Sequence, residues 1–306
     1  MDTKEAMYHL DECCKRVIRR PEVTARFLKV GVKEFSTLSV SKIIKYLPIE
    51  DGLVKLDDGD KKKFRSDLVF TCLLPNGYER RVIRINIEVQ NRLISGRNLP
   101  NRALIYASGL IAKENAETIR KQEYEKLTKT VSIWFCPAAT RDRIERVNFE
   151  SEDKESYFGE DVYDLIKVGF IFMKRKSSDK TIDKRIANND EGIEEALSCI
   201  WALFSTEYDK VEKEKVLREK YKLSIEAINE GEAMCNYSQM VLDNGRLEGM
   251  SQGLSQGRLN GLHEAYIKMY LSNILTLDRA AKECNVSNEQ FISLVEDYKK
   301  KGILIK

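Results

Sequence analysis

Two runs in the first third of the chain predict a β-hairpin from the alternation of apolar and polar positions. In the second run the apolar residues are Ile83, Ile85, Ile87 and Val89, and the polar residues are Arg84, Asn86, Glu88 and Gln90. This period of two is typical of a half-buried strand. The preceding run, residues 65–70, is separated from it by Pro75-Asn76-Gly77, a strong turn signal. The pattern therefore predicts that Glu88 and Gln90 share one face of a hairpin strand.

The position of the turn predicts which residues of the two strands are paired. If the turn centres between Gly77 and Tyr78, antiparallel pairing sets Asp67 opposite Glu88, and directly opposed side chains lie about 5 Å apart. Mg²⁺ binds oxygen ligands and is commonly held by one or two carboxylates, with water or substrate phosphate in its other positions. The hairpin therefore predicts a divalent-cation site in which Gln90 orients a bound water.

Patterns elsewhere in the first two thirds of the chain predict an α/β protein. We expect helices at residues 4–19, 22–34, 39–47, 102–126 and 191–204, strands at 130–136 and 163–175, and a charge-rich helix at 207–221. This order fits an α/β sandwich whose sheet carries the metal site at an open edge. The polar stretch 138–161 is expected to be a loop, either a mobile lid over substrate or an insertion.

The last third of the chain contains a glycine repeat. Glycine recurs every four residues at Gly245, Gly249, Gly253, Gly257 and Gly261, with leucine or methionine between. Glycine costs about 1 kcal/mol relative to alanine inside a helix, so an isolated helix here would be weak. A stripe of small residues permits close approach of two helices, which predicts a homo-oligomer formed through this C-terminal helix. A flexible helical linker is the alternative, and the charged residues between the glycines argue against a membrane span.

Residues 277–291 predict a small helical hairpin. An Ala-Ala helix is followed by Asn285-Val286, by Ser287 as an N-cap, and by a second helix. A helix-turn-helix of this kind could dock DNA. The second helix presents Glu289 and Glu296 rather than basic residues, so protein contacts are favoured. We expect three regions: 1–205 as the core, 206–244 as a helical linker, and 245–306 as the self-association region.

The composition of the chain excludes several classes of protein and several kinds of functional site. The chain has 306 residues, 42% of them hydrophobic, and neither a signal peptide nor an apolar run long enough for a membrane span, so a cytoplasmic protein is expected. Its seven cysteines are scattered and it has two histidines, which argues against a zinc knuckle, a disulfide framework or a histidine-based site. The net charge of +3 is too small to indicate nucleic-acid binding by itself. Local basic groups at 61–65, 80–81 and 174–176 could neutralise phosphates.

The order of Asp67, a hairpin, Glu88 and Gln90 resembles the PD-(D/E)XK nuclease superfamily. It is closest to the nuclease-family transposase, or recombination-promoting nuclease, branch, in which Gln commonly replaces the Lys of the motif. Residues 99–108 are similar to the helix after the catalytic strand of that family, and 131–136 to its next core strand. The resemblance covers most of residues 1–245. It implies a restriction-endonuclease-like, mixed-sheet α/β sandwich with a helical C-terminal extension.

The resemblance also implies an activity. It indicates an endodeoxyribonuclease that uses Mg²⁺, or Mn²⁺ in its place, to hydrolyse phosphodiester bonds of DNA in recombination, mobile-element transfer or phage defence. No small-molecule cofactor is expected. Two alternatives stay open: a noncatalytic protein that keeps the nuclease fold and assembles through its tail, and a nuclease that acts on RNA.

Roles for individual residues follow from the same resemblance. The metal ligands would be Asp67, Glu88 and the carbonyl of Val89, and Gln90 would position the water. The additional carboxylate from the first core helix would be Glu34, with Glu22 as the runner-up. The candidates for substrate binding are Arg65, Arg102 and Tyr106. Arg102 and Tyr106 could instead brace Glu88 and Gln90, or they could be a packed tyrosine and an arginine whose stem lies along the apolar surface. Because the amide of Gln90 carries no charge and donates no proton to the leaving group, the metal must activate the nucleophile almost alone.

Overall fold

A computed structural model describes residues 1–57, 68–75, 82–90, 98–148, 165–174 and 190–300 of the chain. The chain divides into two compact units, Met1–Gln239 and Met240–Lys306.

The elements are numbered in chain order. The helices are α1 (Thr3–Ile18), α2 (Pro21–Gly31), α3 (Val40–Ile44), α4 (Asn98–Glu114), α5 (Ala116–Arg120), α6 (Glu191–Phe204), α7 (Lys210–Lys215), α8 (Ile225–Leu271), α9 (Leu277–Glu283) and α10 (Asn288–Lys300). The strands are β1 (Ile49–Glu50), β2 (Leu53–Val54), β3 (Leu68–Leu73), β4 (Val82–Val89), β5 (Lys129–Ala139), β6 (Arg143–Asn148) and β7 (Ile166–Lys174). Short 3-10 segments are Lys33–Phe35 and Tyr124–Lys126, and a π-helical segment is Val216–Lys220.

The first unit is built on a mixed sheet with strand order β3-β4-β5-β7-β6. Strands β4, β5 and β7 are parallel neighbours, and β3 and β6 pair antiparallel at the two ends. The predicted α/β class is therefore confirmed. In the hairpin, Leu68 pairs with Ile87 and Leu73 with Val82, which is the register predicted from the turn. The turn itself and Asp67 lie outside the described residues.

Each face of the sheet is covered by a different helix. On the face that we call the α2 face, Phe27 meets Phe135 edge to face, with ring centroids 5.2 Å apart. Helix α2 approaches so closely that a Cβ on Gly31 would lie 2.6 Å from Cδ1 of Ile133. On the opposite face, the α4 face, apolar residues of α4 pack on β5 and β7. This cluster comprises Leu99, Ala103, Ala107, Trp134, Cys136, Val168 and Phe170.

Strand β4 is buried on both faces, so the prediction of a half-buried strand was wrong. Its polar residues Arg84, Asn86 and Glu88 are 7%, 0% and 4% exposed. Parallel strands flanked by helices on both sides are normally covered on both faces. The alternation correctly separated the two faces, but the polar one lies beneath a helix and not in solvent. Strand β4 is also interior, paired with β3 and β5, and not at an open edge of the sheet.

The expected helices of the first unit are largely confirmed, but the helix expected at 102–126 ends early. Helix α4 stops at Asn115, whose φ and ψ are −99° and 10°. The Asn115 side chain donates to the carbonyl of Ile111 at 2.9 Å and accepts from the N–H of Thr128 at 2.8 Å. The buried amide thus joins the end of α4 to the start of β5, and the apolar pattern did not reveal this.

The stretch 138–161, expected to be a loop, contains strand β6. This strand pairs antiparallel with β7, with Arg143 opposite Phe172 and Asn148 opposite Lys167. Its Arg146 donates to the carbonyl of Val30 at 3.1 Å. Charged residues are common on edge strands, where they discourage pairing with other chains, so the polar composition was misread as a loop. Residues 149–164 lie outside the described part of the chain.

The second unit confirms the predicted helical hairpin. Helices α9 and α10 enclose a small core with the end of α8, whose buried members include Ile267, Phe291 and Tyr298. Ser287 and Gln290 form a reciprocal capping box: the Ser287 hydroxyl accepts from the Gln290 N–H at 3.2 Å, and the Gln290 side chain accepts from the Ser287 N–H at 3.0 Å. Within the described residues, no helix combines the length and the apolar character that crossing a membrane requires.

Candidate functional site

Glu88 lies near the carboxyl end of β4, on the α4 face. It pairs with Trp134 of β5, and its side chain is buried. After Val89 the parallel ladder continues, since the N–H of Gln90 donates to the carbonyl of Phe135 at 2.8 Å. The backbone of this segment is therefore held in extended form, and Glu88 and Gln90 lie on one face as predicted.

Arg102 of α4 holds the side chain of Gln90. Its Nη1 donates to Oε1 of Gln90 at 3.0 Å. Its guanidinium carbon lies 5.3 Å from the ring centroid of Trp134 and 5.7 Å from that of Tyr106, within the range of cation–π attraction. The bond to Gln90 is the bracing arrangement predicted for Arg102, and a contact with phosphate stays a prediction. The amide oxygen of Gln90 thus faces a cation, which determines how the amide is oriented.

Polar residues continue along the α4 face below Glu88. The hydroxyl of Ser132 accepts from Nδ2 of Asn86 and from Nε1 of Trp134, each at 3.0 Å. Because Trp134 also lies under Arg102, this network connects the interior of β4 and β5 to Gln90. Ser132 was not among the residues predicted for the site, although Thr130, Ser132 and Trp134 alternate with apolar residues along β5.

A second polar group lies further down the same face, at the level of Arg84. Arg84 Nη2 contacts Oδ2 of Asp57 at 2.9 Å, and the hydroxyl of Thr71 donates to the same oxygen at 2.8 Å. Burial lowers the pKa of Arg84, and the nearby Asp57 carboxylate partly offsets this. Asp57 was not a sequence candidate, and its contacts assign it to holding a buried arginine.

Glu34, the expected additional site carboxylate, lies elsewhere. It is in the 3-10 segment after α2, buried at 7% exposure, and forms an ion pair with Lys129, which is 2% exposed. Lys129 pairs with Ile83, whereas Glu88 lies five residues further along β4, a separation of about 16 Å along the strand. Lys129 also shares the α2 face with Ile83. The structure therefore does not bring Glu34 to Glu88.

The runner-up carboxylate, Glu22, also has structural contacts. Its Oε1 accepts from the hydroxyl of Ser224 at 2.5 Å and from the N–H of Ser224 at 3.2 Å. These bonds join the first turn of α2 to the segment before α8. Glu22 thus connects two helical regions of the first unit on the side away from Glu88.

Several predicted residues lie outside the described part of the chain. They are Asp67 and Arg65, together with the basic residues at 61–63, 80–81 and 175–176. Among the residues that the structure describes, no group of three or more His, Cys, Asp or Glu could hold a metal ion. Of the predicted metal ligands, the described residues include Glu88, with its carboxylate, and Val89, with its carbonyl. A hard ion such as Mg²⁺ accepts one or two carboxylates and completes its shell with water or phosphate, so this donor set fits it chemically.

Comparisons of the chain with protein-family models, with curated proteins and with solved structures found no match.

Proposed function

We propose that the protein is a cytoplasmic, Mg²⁺-dependent DNA endonuclease of the recombination-promoting type, with a PD-(D/E)XK fold. The observation that supports this most strongly is the Glu88–Gln90–Arg102 arrangement. A buried carboxylate and a positioned amide lie two residues apart on one strand, with a cation bonded to the amide. Burying a charge is costly, and buried charges in proteins are paired or coordinate metals.

Each residue has a distinct role in this proposal. Glu88 and the Val89 carbonyl would hold the metal together with Asp67. When bound, Mg²⁺ lowers the pKa of a coordinated water and offsets negative charge on the phosphate. Gln90 hydrogen-bonds the attacking water or a phosphate oxygen. Tyr106 contacts the ring of Trp134, with centroids 5.6 Å apart, and so supports the aromatic rings on which Arg102 lies.

Arg102 supplies the positive charge that the amide of Gln90 lacks. Guanidinium stays protonated in proteins, and here it lies one hydrogen bond from the amide. A positioned cation stabilises negative charge that develops in a transition state, and it does so more strongly where water is excluded. Arg102 and Gln90 together therefore provide an oriented amide and a nearby positive charge. This makes Arg102 a positioning residue in the proposed site.

The test is nicking of supercoiled plasmid with and without Mg²⁺ or Mn²⁺. Wild-type protein is expected to nick only with metal, and Glu88→Gln to show no nicking. Glu117→Gln is the matched control, since that side chain is 67% exposed on α5. A labelled single-stranded RNA in a parallel reaction separates DNA from RNA cleavage. Equal activity of wild type and Glu88→Gln would overturn the assigned site, and no activity in either would overturn the catalytic proposal.

An assembly function is the second candidate, and the exposed part of α8 favours it. Leu247, Met250 and Leu254 are 66%, 61% and 57% exposed and lie on one side of the helix. Apart from the adjacent residues and the nearby backbone of the helix itself, a Cβ added at any of the five repeat glycines would meet no described atom within 4 Å. We propose that this segment pairs with a second copy of the chain, because association would remove these apolar residues from water.

Sedimentation velocity over a range of concentrations tests the assembly proposal. Wild type is expected to associate as concentration rises, and Leu247→Ser with Leu254→Ser to remain monomeric. Ile274→Ser is the control, because Ile274 is 70% exposed but lies beyond the glycine repeat. A wild-type protein that is monomeric at every concentration would contradict this proposal.

A further inference from the structure

Lys213 and Cys235 form a contact outside the candidate nuclease site. Lys213 lies in α7 and Cys235 in α8, and Nζ lies 2.9 Å from Sγ. Lys213 is 6% exposed, whereas Cys235 is only partly buried. An amine and a thiol from different helices are therefore held in direct contact, at a cysteine that is only partly buried.

The carbonyl of Ser205 brings the two side chains together. Lys213 Nζ donates to this carbonyl at 2.9 Å, and Cys235 Sγ lies 3.5 Å from the same oxygen. Ser205 is the C-cap of α6, where unpaired carbonyls carry partial negative charge and attract cations. The end of α6 thus explains why a lysine is buried at this position.

The carboxylates of the region do not neutralise Lys213. Within the described residues, no Asp or Glu lies within ion-pair distance of its Nζ. The neighbouring Lys210 differs, since it contacts Glu232 at 2.9 Å and its side chain is 72% exposed. The nearest reactive group to Lys213 is therefore the thiol of Cys235.

Three other cysteines are buried in surroundings that make their thiols less reactive. Burial raises the pKa of the Cys72, Cys136 and Cys199 thiols to about 12. The thiolate is the reactive form, so a raised pKa disfavours oxidation of these cysteines. Cys235 combines partial exposure with a lysine in contact, which none of these three has among its described contacts.

We propose that Lys213 and Cys235 form a reversible, oxidation-dependent covalent cross-link. In the first step, hydrogen peroxide oxidises the Cys235 thiol to a sulfenic acid and is reduced to water. In the second step, the Lys213 ammonium releases a proton to solvent, its nitrogen attacks the sulfur, and the S–O bond breaks with loss of water. The product is a sulfenamide, the same class of bond that sulfenic acids form with backbone nitrogen. A thiol reductant cleaves the S–N bond and restores the amine and the thiol.

The cross-link has two consequences for the first unit. It joins α7 covalently to α8 beside the end of α6, so it restricts separation of these helices. It also removes the sulfenic acid before further oxidation to the irreversible sulfinic and sulfonic acids. The pair therefore acts as a protected, reversible oxidation site.

Peptide mass spectrometry of the full-length protein tests the proposal. The folded protein is treated with hydrogen peroxide, remaining thiols are alkylated, and the chain is digested with trypsin. We expect the Lys213 and Cys235 peptides to be joined, two hydrogens lighter than their sum, uncleaved after Lys213, and separated by dithiothreitol. A sulfinic acid at Cys235, a sulfenic acid there that dimedone labels, or an unmodified Cys235 would overturn the proposal.

Two lysine variants provide the matched comparison. Lys213→Arg keeps the charge but removes the primary amine, so cross-linking should be lost and dimedone labelling of Cys235 should appear. Lys210→Arg, on the same helix, should cross-link as wild type does. Cross-linked mass at another lysine in either protein would also contradict the assignment. The wild-type result decides the proposal even if Lys213→Arg fails to fold.

Discussion

Glu34 and Glu88 are buried carboxylates on opposite faces of one sheet, and their surroundings differ. Glu34 contacts Lys129 at the start of β5, on the α2 face. Glu88 lies on the α4 face beside Gln90, whose amide is bonded to Arg102. The first carboxylate is neutralised by a buried lysine in direct contact. Near the second, the cation is stacked on aromatic rings and bonded to the neighbouring amide.

The difference distinguishes a structural ion pair from a candidate site. A buried pair in direct contact resists change, because removal of either partner leaves an uncompensated charge. An arginine stacked on Trp134 and Tyr106 instead positions a neighbouring group. Changes at the two carboxylates and their partners should therefore alter the free energy of unfolding to different extents.

Lys129→Met should be the most destabilising change. It leaves Glu34 buried without its cation, and breaking a buried pair costs about 3–5 kcal/mol. Urea unfolding measures the loss. Glu34→Leu combined with Lys129→Met should recover most of it, because both charges are then absent. Lys126→Met is the control, since that side chain is 60% exposed. A loss for Lys129→Met no greater than for this control would refute the structural role of the pair.

Arg102→Met should have an intermediate effect on stability. It removes a charged hydrogen bond, for which loss costs about 1.5–3 kcal/mol, from a partly buried position. It should also change the fluorescence of Trp134 and reduce metal-dependent nicking, whereas Arg102→Lys should retain part of the nicking. Arg120→Met, at a side chain 77% exposed, is the control. Unchanged nicking in Arg102→Met would remove Arg102 from the proposed site.

Stability should decrease at alkaline pH through thiols on both faces. The pKa of Cys72 on the α2 face and that of Cys136 on the α4 face are raised by burial from 9.0 to about 12. The unfolded chain therefore loses these protons at lower pH than the folded chain does. The contribution of the two thiols to the free energy of unfolding is complete below pH 9 and is lost as pH rises towards about 12.

Each of the two thiols should add roughly 1 kcal/mol of destabilisation per pH unit above the unfolded pKa. Urea unfolding at about pH 8 and about pH 10 measures the slope. Cys72→Ala and Cys136→Ala should each reduce that slope, whatever their effect on stability at neutral pH. An unchanged slope in both variants would contradict the raised pKa values.

Glu88→Gln should have the smallest effect on stability. The amide keeps the side-chain volume and one acceptor oxygen, so the change should be below about 1 kcal/mol. In wild type, Mg²⁺ or Mn²⁺ should raise the unfolding temperature, as any ligand of the folded state does. Glu88→Gln should abolish that rise. A metal-dependent rise of equal size in both proteins would place the metal elsewhere.

Local patterns in the sequence predicted the hairpin register and the caps. The pairing of Leu68 with Ile87 followed from a period-two run and a turn signal, both of which depend on nearby residues. The same holds for Ser287, whose capping role needs only the residue three positions later. Such features are encoded locally, and they were correct where the structure describes them.

Contacts distant in sequence were not predictable in the same way. Glu34 and Lys129 are 95 residues apart in the chain, and their ion pair is visible only in the folded unit. The C-terminal end of α4 and strand β6 likewise depend on residues outside their own segments, because Asn115 bonds to Thr128 and β6 pairs with β7. A single sequence contains no signal for these pairs, because each residue taken alone resembles a solvent-exposed polar residue.

The sequence by itself determined that this is an α/β chain, that Glu88 and Gln90 share a face of β4, and that a helical region with regularly spaced glycines follows. Backbone propensity and side-chain periodicity act over a few residues and therefore can be read directly. The tertiary structure decided that the polar face of β4 is buried beneath α4, that Arg102 holds Gln90, and that Glu34 belongs to the other face. Those outcomes depend on which surfaces pack against each other and so exclude water. Burial is therefore a property of the folded chain and not of any one segment.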